Sequence, residues 1–253
     1  MPATEINNPI GVPFIEIYSL DSTNNYAMQQ LQKSMSQHGT AYFAHEQFAG
    51  KGQRGKQWHA RPGENIILSV VLDTSYLQVS KQFGLSMAVA MATHDFFAQR
   101  ALKDTFVKWP NDLYWGDRKA GGILIENIIR GKDWQWAIAG IGININQTIF
   151  DPSITNAVSL KQITGKTYDP VQLAKELCNS LNLRYNQLIN QGTELLLIEY
   201  NAVLYKHGQS IKLKKANVSF NAILKEVNEY GQLVVEASAE QTFNVGEIEW
   251  VVI

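Results

Sequence analysis

The chain has 253 residues, of which 45% are hydrophobic, so it can bury a full core, and its length allows one domain or two. A formal net charge of -1 gives no reason to expect nucleic acid, because a duplex-binding protein needs a basic face for the phosphates, so any basic site must be local. The single cysteine, Cys178, excludes an internal disulfide framework and a cysteine-rich metal site.

The N-terminus has no charged segment followed by an apolar one, and no later run is apolar for long enough to span a bilayer. We therefore expect a cytoplasmic protein without a membrane partner. The first predicted elements are a strand from Phe14 to Leu20 and a helix that ends near Met35. Ser22 and Thr23 are predicted to cap this helix. A cap also directs free N–H groups and hydroxyls at one spot, so a small polar ligand is the alternative.

A glycine-rich loop follows the next predicted strand, Thr40 to Glu46, which delivers Gln47 to the mouth of the loop. Glycine lets backbone N–H groups approach an anion, and interleaved cations balance the charge of that anion. The loop therefore predicts a phosphate or carboxylate site, and a solvated hairpin loop with incidental charge is an equal alternative on this stretch alone. Its residues, with the tryptophan that follows, are Gly50, Lys51, Gly52, Gln53, Arg54, Gly55, Lys56 and Trp58.

A Walker A loop is the sharpest competing interpretation, because Gly50, Gly55 and Lys56 have the spacing of that motif. Gln57 stands where serine or threonine should hold Mg²⁺. The turn at residues 61–63 also prevents the helix that should follow, so we reject a P-loop.

A helix is predicted from Ser80, as its cap, to about Leu102, with His94 and Asp95 as surface residues without a chemical role. Pro110 then cannot lie inside a central ladder. A strand end or bulge beside a site is therefore predicted at Lys108, Trp109, Pro110, Asn111 and Asp112.

A tight turn at residues 115–118 leads into a predicted strand from Lys119 to Ile129, in which Lys119 lies near Gly122. A second hairpin leads to a strand that ends in residues 140–146, GIGININ. This glycine pair is weak support for a dinucleotide site, because Ile145 occupies the third glycine position. Close backbone packing under a ligand, with Asn144 offering an amide, is the better interpretation.

Helices are predicted from Pro170 to about Gln191, with Cys178 in its apolar core face, and from Glu194 to about Leu204. Short strands at residues 209–213, 218–227, 233–236 and 242–245 then predict a small barrel. We expect a catalytic domain at residues 1–206 and a small domain at 207–253.

Five motifs in this order resemble those of biotin protein ligases. They are Ser22-Thr23-Asn24, the Gly50 loop with Trp58, residues 108–112, residues 119–124 and residues 140–146. The resemblance runs from about Phe14 to the C-terminus. It implies an α+β fold, with a mixed β-sheet packed with helices as in class II synthetases, plus a small C-terminal SH3-like β-barrel. Within this family, the chain resembles the short class that lacks an N-terminal DNA-binding domain.

The family reaction implied by this resemblance joins biotin and ATP into biotinyl-5′-AMP, and then transfers biotin to a lysine of a biotin carboxyl carrier domain. Two anions must meet in the first step, and they repel by roughly 4 kcal/mol per charge pair at an effective dielectric near 20. By resemblance, the catalytic cations are Lys119, Arg54 and Lys51. The implied biotin site is Ser22, Thr23, Asn24, Gln47, Gly50, Lys51, Gly52, Gln53, Lys119 and Gly122. The implied ATP site is Arg54, Lys56, Trp58, Lys108, Asn111, Asp112 and Asn144, with Asp112 on Mg²⁺.

Gln53 departs from the family pattern, because many members carry a second basic residue there. We expect this to weaken retention of the adenylate unless Arg54 or Lys51 compensates. The alternatives are a lipoate ligase or octanoyltransferase of the same superfamily and a non-enzymatic binding module. A monomer or a homodimer is possible, since the strand from Ile123 to Ile129 could pair with a copy of itself.

Overall fold

A seven-stranded mixed sheet forms the centre of the computed structural model, which describes residues 8–152, 154 and 156–251. Its strand order is β1-β2-β3-β7-β6-β5-β4, in which β1 is parallel to β2 and the other neighbours are antiparallel. The strands are β1 (Phe14–Leu20), β2 (Ala41–Gln47), β3 (Asn65–Asp73), β4 (Thr105–Lys108), β5 (Asp112–Trp115), β6 (Arg118–Arg130) and β7 (Asp133–Asn144).

Helices cover both faces of this sheet, which is why nearly every residue of β3 is buried. Alternate side chains of a strand point to opposite faces. Leu68, Val70 and Leu72 join the large core that includes helices α2 (Gln82–Ala101) and α4 (Pro170–Gln191), whereas Val71 packs with Ala27 of helix α1 (Thr23–Gln32). The predicted α+β class, a mixed sheet packed with helices, is confirmed.

The α-helices of the described residues are α1 (Thr23–Gln32), α2 (Gln82–Ala101), α3 (Leu160–Thr164), α4 (Pro170–Gln191) and α5 (Glu194–Ala202). Helix α4 has the predicted bounds, because Pro170 fits the first turn and Asp169 accepts hydrogen bonds from Val171 N and Gln172 N. The predicted Ser80 cap is wrong. A 3₁₀ turn, Val79–Lys81, precedes α2, and Lys81 is its N-cap residue.

His94 and Asp95 are also not simple surface residues, contrary to the sequence prediction. Asp95 accepts from Arg184 Nε at 2.7 Å, and His94 lies 3.2 Å from Asp95 Oδ1. Burial alone would raise the pKa of Asp95, but the hydrogen bonds from His94 and Arg184 hold it below its usual range. The ion pair between Asp95 and Arg184 therefore links α2 to α4, and both side chains are half-buried at that contact.

A second sheet of five antiparallel strands, in the order β11-β10-β9-β8-β12, follows the helices and fits the predicted SH3-like domain. Its strands are β8 (Ser210–Lys215), β9 (Val218–Val227), β10 (Leu233–Glu236), β11 (Glu240–Phe243) and β12 (Glu249–Trp250). Sequence patterns missed β12, because two residues carry no alternation. The division at residues 206 and 207 stays a prediction.

The two sheets are joined by specific hydrogen bonds. Asn201 of α5 donates Nδ2 to Val227 O and accepts from Val227 N, at 2.9 and 2.8 Å. Trp109 Nε1 donates to Gly231 O at 2.9 Å, and Phe83 packs on Gly231 where any Cβ would clash. The small sheet is therefore held beside the β4–β5 turn, where three of the residues predicted to bind ATP lie: Lys108, Asn111 and Asp112.

The outer half of β6 has one neighbour among the described strands. Residues from Gly121 to Arg130 pair with β7, but β5 reaches only as far as Gly122. This free edge is what a strand-paired homodimer would use. The homodimer stays a prediction. Within residues 8–152, 154 and 156–251, no helix is long and apolar enough to cross a membrane.

Two leucines of α4 test how much the helix layer contributes to stability. Leu181 is 3% exposed in the main core, whereas Leu183 is 70% exposed. We expect Leu181→Ala to lower the free energy of unfolding by about 2–5 kcal/mol, because it removes packed methyl groups and leaves a cavity. The matched control, Leu183→Ala, should change it by less than about 0.5 kcal/mol. Urea unfolding followed by circular dichroism measures both, and equal effects would contradict the assigned face of α4.

Candidate active site

One row of paired residues across five strands forms the floor of a cleft. Strand register places Ile67 opposite Gly142, Gly142 opposite Gly122, Gly122 opposite Asp112, and Asp112 opposite Lys108. Directly opposed residues share a face of a sheet. Two glycines therefore leave the middle of the row without side chains, between an apolar residue and a charged pair.

Trp58 fills the space above these glycines. A Cβ on Gly142 would lie 2.5 Å from Trp58 Cε2, and one on Gly122 would lie 3.5 Å from Trp58 Cζ3. The backbone of Trp58 is fixed to the glycine loop, because Trp58 N donates to Gly50 O at 2.9 Å. The predicted close packing of glycine is thus real, but here an indole lies on Gly142 and Gly122, and the Asn24 amide lies on Gly140.

A β-bulge directs Lys119 into the cleft. In a regular strand, Lys119 and Gly122 are three residues apart and would face opposite sides. The register of β5 with β6 shifts because Leu113 pairs with Gly121 and Tyr114 with Lys119, which leaves Ala120 as the extra residue. Lys119 Nζ consequently lies 3.5 Å from an ideal Cβ on Gly122 and 5.9 Å from the Trp58 ring centre.

Uncharged polar side chains close one end of the cleft, at the start of α1. Gln47 Oε1 accepts from Thr23 N at 2.8 Å and from Thr23 Oγ1 at 3.2 Å. Ser22 is the N-cap residue, but its side chain makes no cap hydrogen bond. Gln47 on β2 therefore satisfies the helix N-terminus that sequence analysis gave to Ser22 or Thr23.

Asn24 connects this end to the charged part of the cleft. Its Nδ2 donates to Glu126 Oε2 at 2.8 Å, and Ser69 donates to its Oδ1 at 2.6 Å. Lys51 Nζ lies 3.4 Å from Glu126 Oε1. The glycine loop is therefore attached to β6 and α1 through one carboxylate.

Each of three cations in the cleft has a specific acceptor. Lys119 Nζ lies 2.6 Å from Asp112 Oδ1, Lys51 pairs with Glu126, and Arg54 Nη2 donates to Gly246 O at 3.4 Å. The Arg54 contact crosses from the loop to the small sheet. Each of these cations is thus held by an acceptor of the protein, and an anionic ligand would replace that acceptor.

Lys108 differs because it is 8% exposed and hydrogen-bonds to Tyr114 Oη at 3.0 Å. Burial is the largest cause that lowers the pKa of Lys108, and Lys119 and Lys56 lower it further, while Asp112 opposes them. Burial together with the charge of Asp112 raises the pKa of Tyr114 to about 12, so its hydroxyl stays protonated.

The cleft has a volume of about 720 Å³, within the range of about 300–1,000 Å³ that is common for ligand sites. It brings together most of the predicted site residues: Ser22, Thr23, Asn24, Gln47, Lys51, Gly52, Gln53, Arg54, Lys56, Trp58, Lys108, Asn111, Asp112, Lys119 and Gly122. Their individual roles stay predictions.

Two predicted residues do not line this cleft. Gly50 lines a neighbouring cavity and approaches Gln47 and the Trp58 carbonyl. Asn144 is 4% exposed and donates Nδ2 to Lys119 O and Val158 O, at 3.4 and 3.1 Å. The structure therefore gives Asn144 a supporting position behind Lys119 in place of the predicted contact with ATP.

Sequence analysis missed several lining residues that come from distant parts of the chain. Tyr114 follows the recognised motif by two residues, so its alternation in β5 was an available signal. Asn156 and the small-sheet residues gave none, because only tertiary packing brings them here. These last are Val245, Gly246, Ile248, Glu249 and Trp250.

The described residues hold no cluster of three or more His, Cys, Asp or Glu side chains that could bind a metal by themselves. Asp112 is the carboxylate at the floor of the cleft. Magnesium at nucleotide sites commonly takes one or two protein carboxylates and completes its shell with phosphates and water. Asp112 fits that mode, with the metal carried by the nucleotide.

Residues 16–144 match the model of the biotin/lipoate A/B protein ligase family, which is just over half of the chain and includes the whole floor of the cleft. The chain belongs to this family. The match ends before α4 and the small sheet.

Two curated family members and one solved structure extend the likeness. The biotin–[acetyl-CoA-carboxylase] ligase of Paracoccus denitrificans is 29% identical over 235 residues, which covers 87% of this chain and 92% of that protein. The bifunctional ligase/repressor BirA of Escherichia coli (strain K12) is 27% identical over 219 residues, or 86% of this chain and 67% of that protein. The biotin protein ligase from Aquifex aeolicus, solved with biotin and ATP, has a TM-score of 0.79 and 22% identity, and covers 94% of this chain and 97% of that one. This last likeness shows a shared fold, the small sheet included.

The buried ammonium of Lys108 gives a prediction about stability and pH. Its pKa is lowered in the folded state from the usual 10.5, so below the folded pKa the charge costs stability, and the free energy of unfolding rises with pH toward 10.5. We expect Lys108→Met to raise the free energy of unfolding at pH 7 and to remove this part of the rise.

Exposed Lys103 provides the control, and Lys103→Met should change stability by less than about 0.5 kcal/mol at either pH. Urea unfolding at pH 7 and pH 9.5 measures the three proteins. A Lys108→Met variant that is less stable than the parent at both pH values would contradict the inferred cost.

Proposed function

We propose that the protein is a biotin protein ligase, which activates biotin with ATP to biotinyl-5′-AMP and transfers biotin to a lysine of a biotin carboxyl carrier domain. The observation that supports this most is the single cleft in which five cations and a group of uncharged polar side chains share one floor. Condensation of a carboxylate with a phosphate needs cations at one place, whereas the fused ureido ring of biotin needs uncharged hydrogen-bonding partners.

The polar end near α1 is suited to that ring. Ser22, Thr23 and Asn24 are each less than 5% exposed, and Gln47 already fixes the start of the helix. A buried polar site rejects a ligand that leaves its groups unpaired. This end therefore favours biotin over the flexible acyl chain that a lipoate ligase or octanoyltransferase accepts.

Lys119 is positioned for the first chemical step. Its Nζ lies beside Gly122 and Asp112 of the row of paired residues, where the carboxylate of biotin would meet the α-phosphate of ATP. Asp112 holds its ammonium at 2.6 Å until both anions arrive. Each charge-assisted hydrogen bond then formed contributes about 1.5–3 kcal/mol. When bound with ATP, Mg²⁺ at Asp112 would neutralise phosphate charge.

The glycine loop fits the role of a lid over the adenylate, a mixed anhydride that water would hydrolyse. Lys51, at the edge of the loop, is held by Glu126, and Arg54 reaches Gly246 on the opposite wall. Both contacts are exposed and thus weak, so the loop can open to an acceptor. The second step needs only a deprotonated acceptor lysine, which agrees with the absence of a cysteine or a serine–histidine pair from the described lining of the cleft.

ATP–pyrophosphate exchange tests the function directly. We expect exchange with biotin and none with lipoate or without an acid, because only biotin satisfies the polar end. Lys119→Gln should lower the exchange rate by 100-fold or more, as removal of a preorganised charge partner at a transition state does. Exposed Lys103→Gln is the control. Exchange supported only by lipoate would reverse the assignment, and no exchange with either acid would favour a binding module.

Gln53 should set how tightly the adenylate is retained. It lines the cleft next to Arg54 and carries no charge. We expect Gln53→Arg to slow release of biotinyl-5′-AMP by about 10-fold or more, since a charge-assisted hydrogen bond contributes about 1.5–3 kcal/mol. Release of radiolabelled adenylate after rapid gel filtration measures this rate. Exposed Gln37→Arg adds the same charge away from the cleft, and an off-rate that is equal in all three proteins would remove the idea.

A further inference from the structure

Lys108 lies at the outer end of the glycine row and is surrounded by aromatic rings. Its Nζ is 4.7 Å from the ring centre of Tyr114, 5.0 Å from that of Trp250 and 5.8 Å from that of Tyr205. All three distances are within the limit of about 6 Å for attraction between a cation and an aromatic face. Tyr114 and Trp250 also line the cleft.

The charge of Lys108 is not cancelled by a carboxylate. Among the described residues, no Asp or Glu oxygen lies within 4.0 Å of its Nζ, although the side chain is almost completely buried. Asp112 is its partner in the β4–β5 ladder, but the Asp112 carboxylate lies 2.6 Å from Lys119 Nζ. Aromatic faces stabilise an ammonium without neutralising it, so its field remains directed at the cleft.

The three rings come from three separate parts of the fold. Tyr114 lies on β5, Tyr205 follows α5, and Trp250 is the last residue of β12 in the small sheet. Tyr205 contacts both other rings, with ring centres 4.9 Å from Tyr114 and 6.0 Å from Trp250. The small sheet therefore contacts the charged end of the cleft through the Trp250 ring, in addition to the contact between Arg54 and Gly246.

We propose that Trp250 is a positioning residue for the first half-reaction. Together with Tyr205 and Tyr114, its ring holds the Lys108 ammonium un-neutralised at the end of the cleft, for the polyphosphate of ATP. This inference rests on the proposed function and deepens it, because it gives the small sheet a part in nucleotide use. Trp250 acts through Lys108, so its effect must disappear when Lys108 is absent.

A double-mutant cycle on the full-length chain tests this coupling, with biotin-dependent ATP–pyrophosphate exchange as the measurement. The variants are Trp250→Leu, which keeps an apolar side chain but removes the aromatic face, Trp250→Phe, which keeps a face, Lys108→Met, and the double variant Trp250→Leu/Lys108→Met. We expect Trp250→Leu to raise the KM for ATP by about 10-fold, with the KM for biotin changed by less than about 2-fold. Trp250→Phe should restore most of the loss.

In the Lys108→Met background, Trp250→Leu should have no further effect on the KM for ATP. Equal, additive losses in both backgrounds would overturn the inference, as would equal losses for the leucine and phenylalanine variants. Thermal unfolding of each variant identifies any that fails to fold. If Trp250→Leu fails to fold, the KM for ATP of Trp250→Phe is compared with that of the parent in its place. If the parent chain itself shows no biotin-dependent exchange, the proposed function fails and this inference fails with it. Exchange by the parent with additive losses overturns this inference alone.

Discussion

The cleft depends on a patch of sheet that has no side chains. Gly140, Gly142 and Gly122 lie on adjacent strands, β7 and β6, and share the face that α1 covers farther along. A sheet face without side chains leaves a space that other groups must fill. Here Trp58 and Asn24 fill it and lie directly on the backbone of these glycines. Any larger residue at Gly142 would displace the Trp58 ring, and with it the wall next to Lys119. The glycines thus determine where the Trp58 ring and the Asn24 amide can approach the sheet.

Two of the five cations that line the cleft are paired with acids before a ligand binds. Lys119 is held by Asp112 and Lys51 by Glu126, which keeps both side chains at fixed positions at low cost. Lys108 differs, because its ammonium lies among aromatic rings and not beside a carboxylate. This arrangement suits a reaction that joins two anions, because cations outnumber acids among the residues that line the cleft.

The small sheet is part of the cleft in addition to being an appended domain. It contributes a wall through residues 245–250, accepts a hydrogen bond from Arg54, and receives the Trp109 indole at Gly231. The family match covers only residues 16–144, so this wall lies outside the region that identifies the family. Members that share the floor can therefore differ in how this end of the cleft is closed.

The sequence by itself determined the elements and most of the site. Long periodic segments and strong punctuation, such as Pro170 after Asp169 or the turn at Gly116, act locally, so the bounds of β1, β9, β10 and α4 agree with the structure. The glycine and cation motifs also identified the cleft, because close approach and charge are properties of residue type. The cap assignment at Ser80 failed because a 3₁₀ turn precedes α2 there. The surface assignments at His94 and Asp95 failed because Arg184, on a helix remote in sequence, supplied a partner for Asp95.

Only the tertiary structure decided which way the side chains point. The bulge at Ala120 turns Lys119 toward Gly122, and a one-residue change of register leaves no mark in composition or periodicity. The fold places Asn144 behind Lys119. It also brings Trp250 to Lys108, although more than 130 residues separate them in the chain. Contacts of this kind join segments that are remote in sequence, so they are fixed by how the layers pack and not by any local pattern.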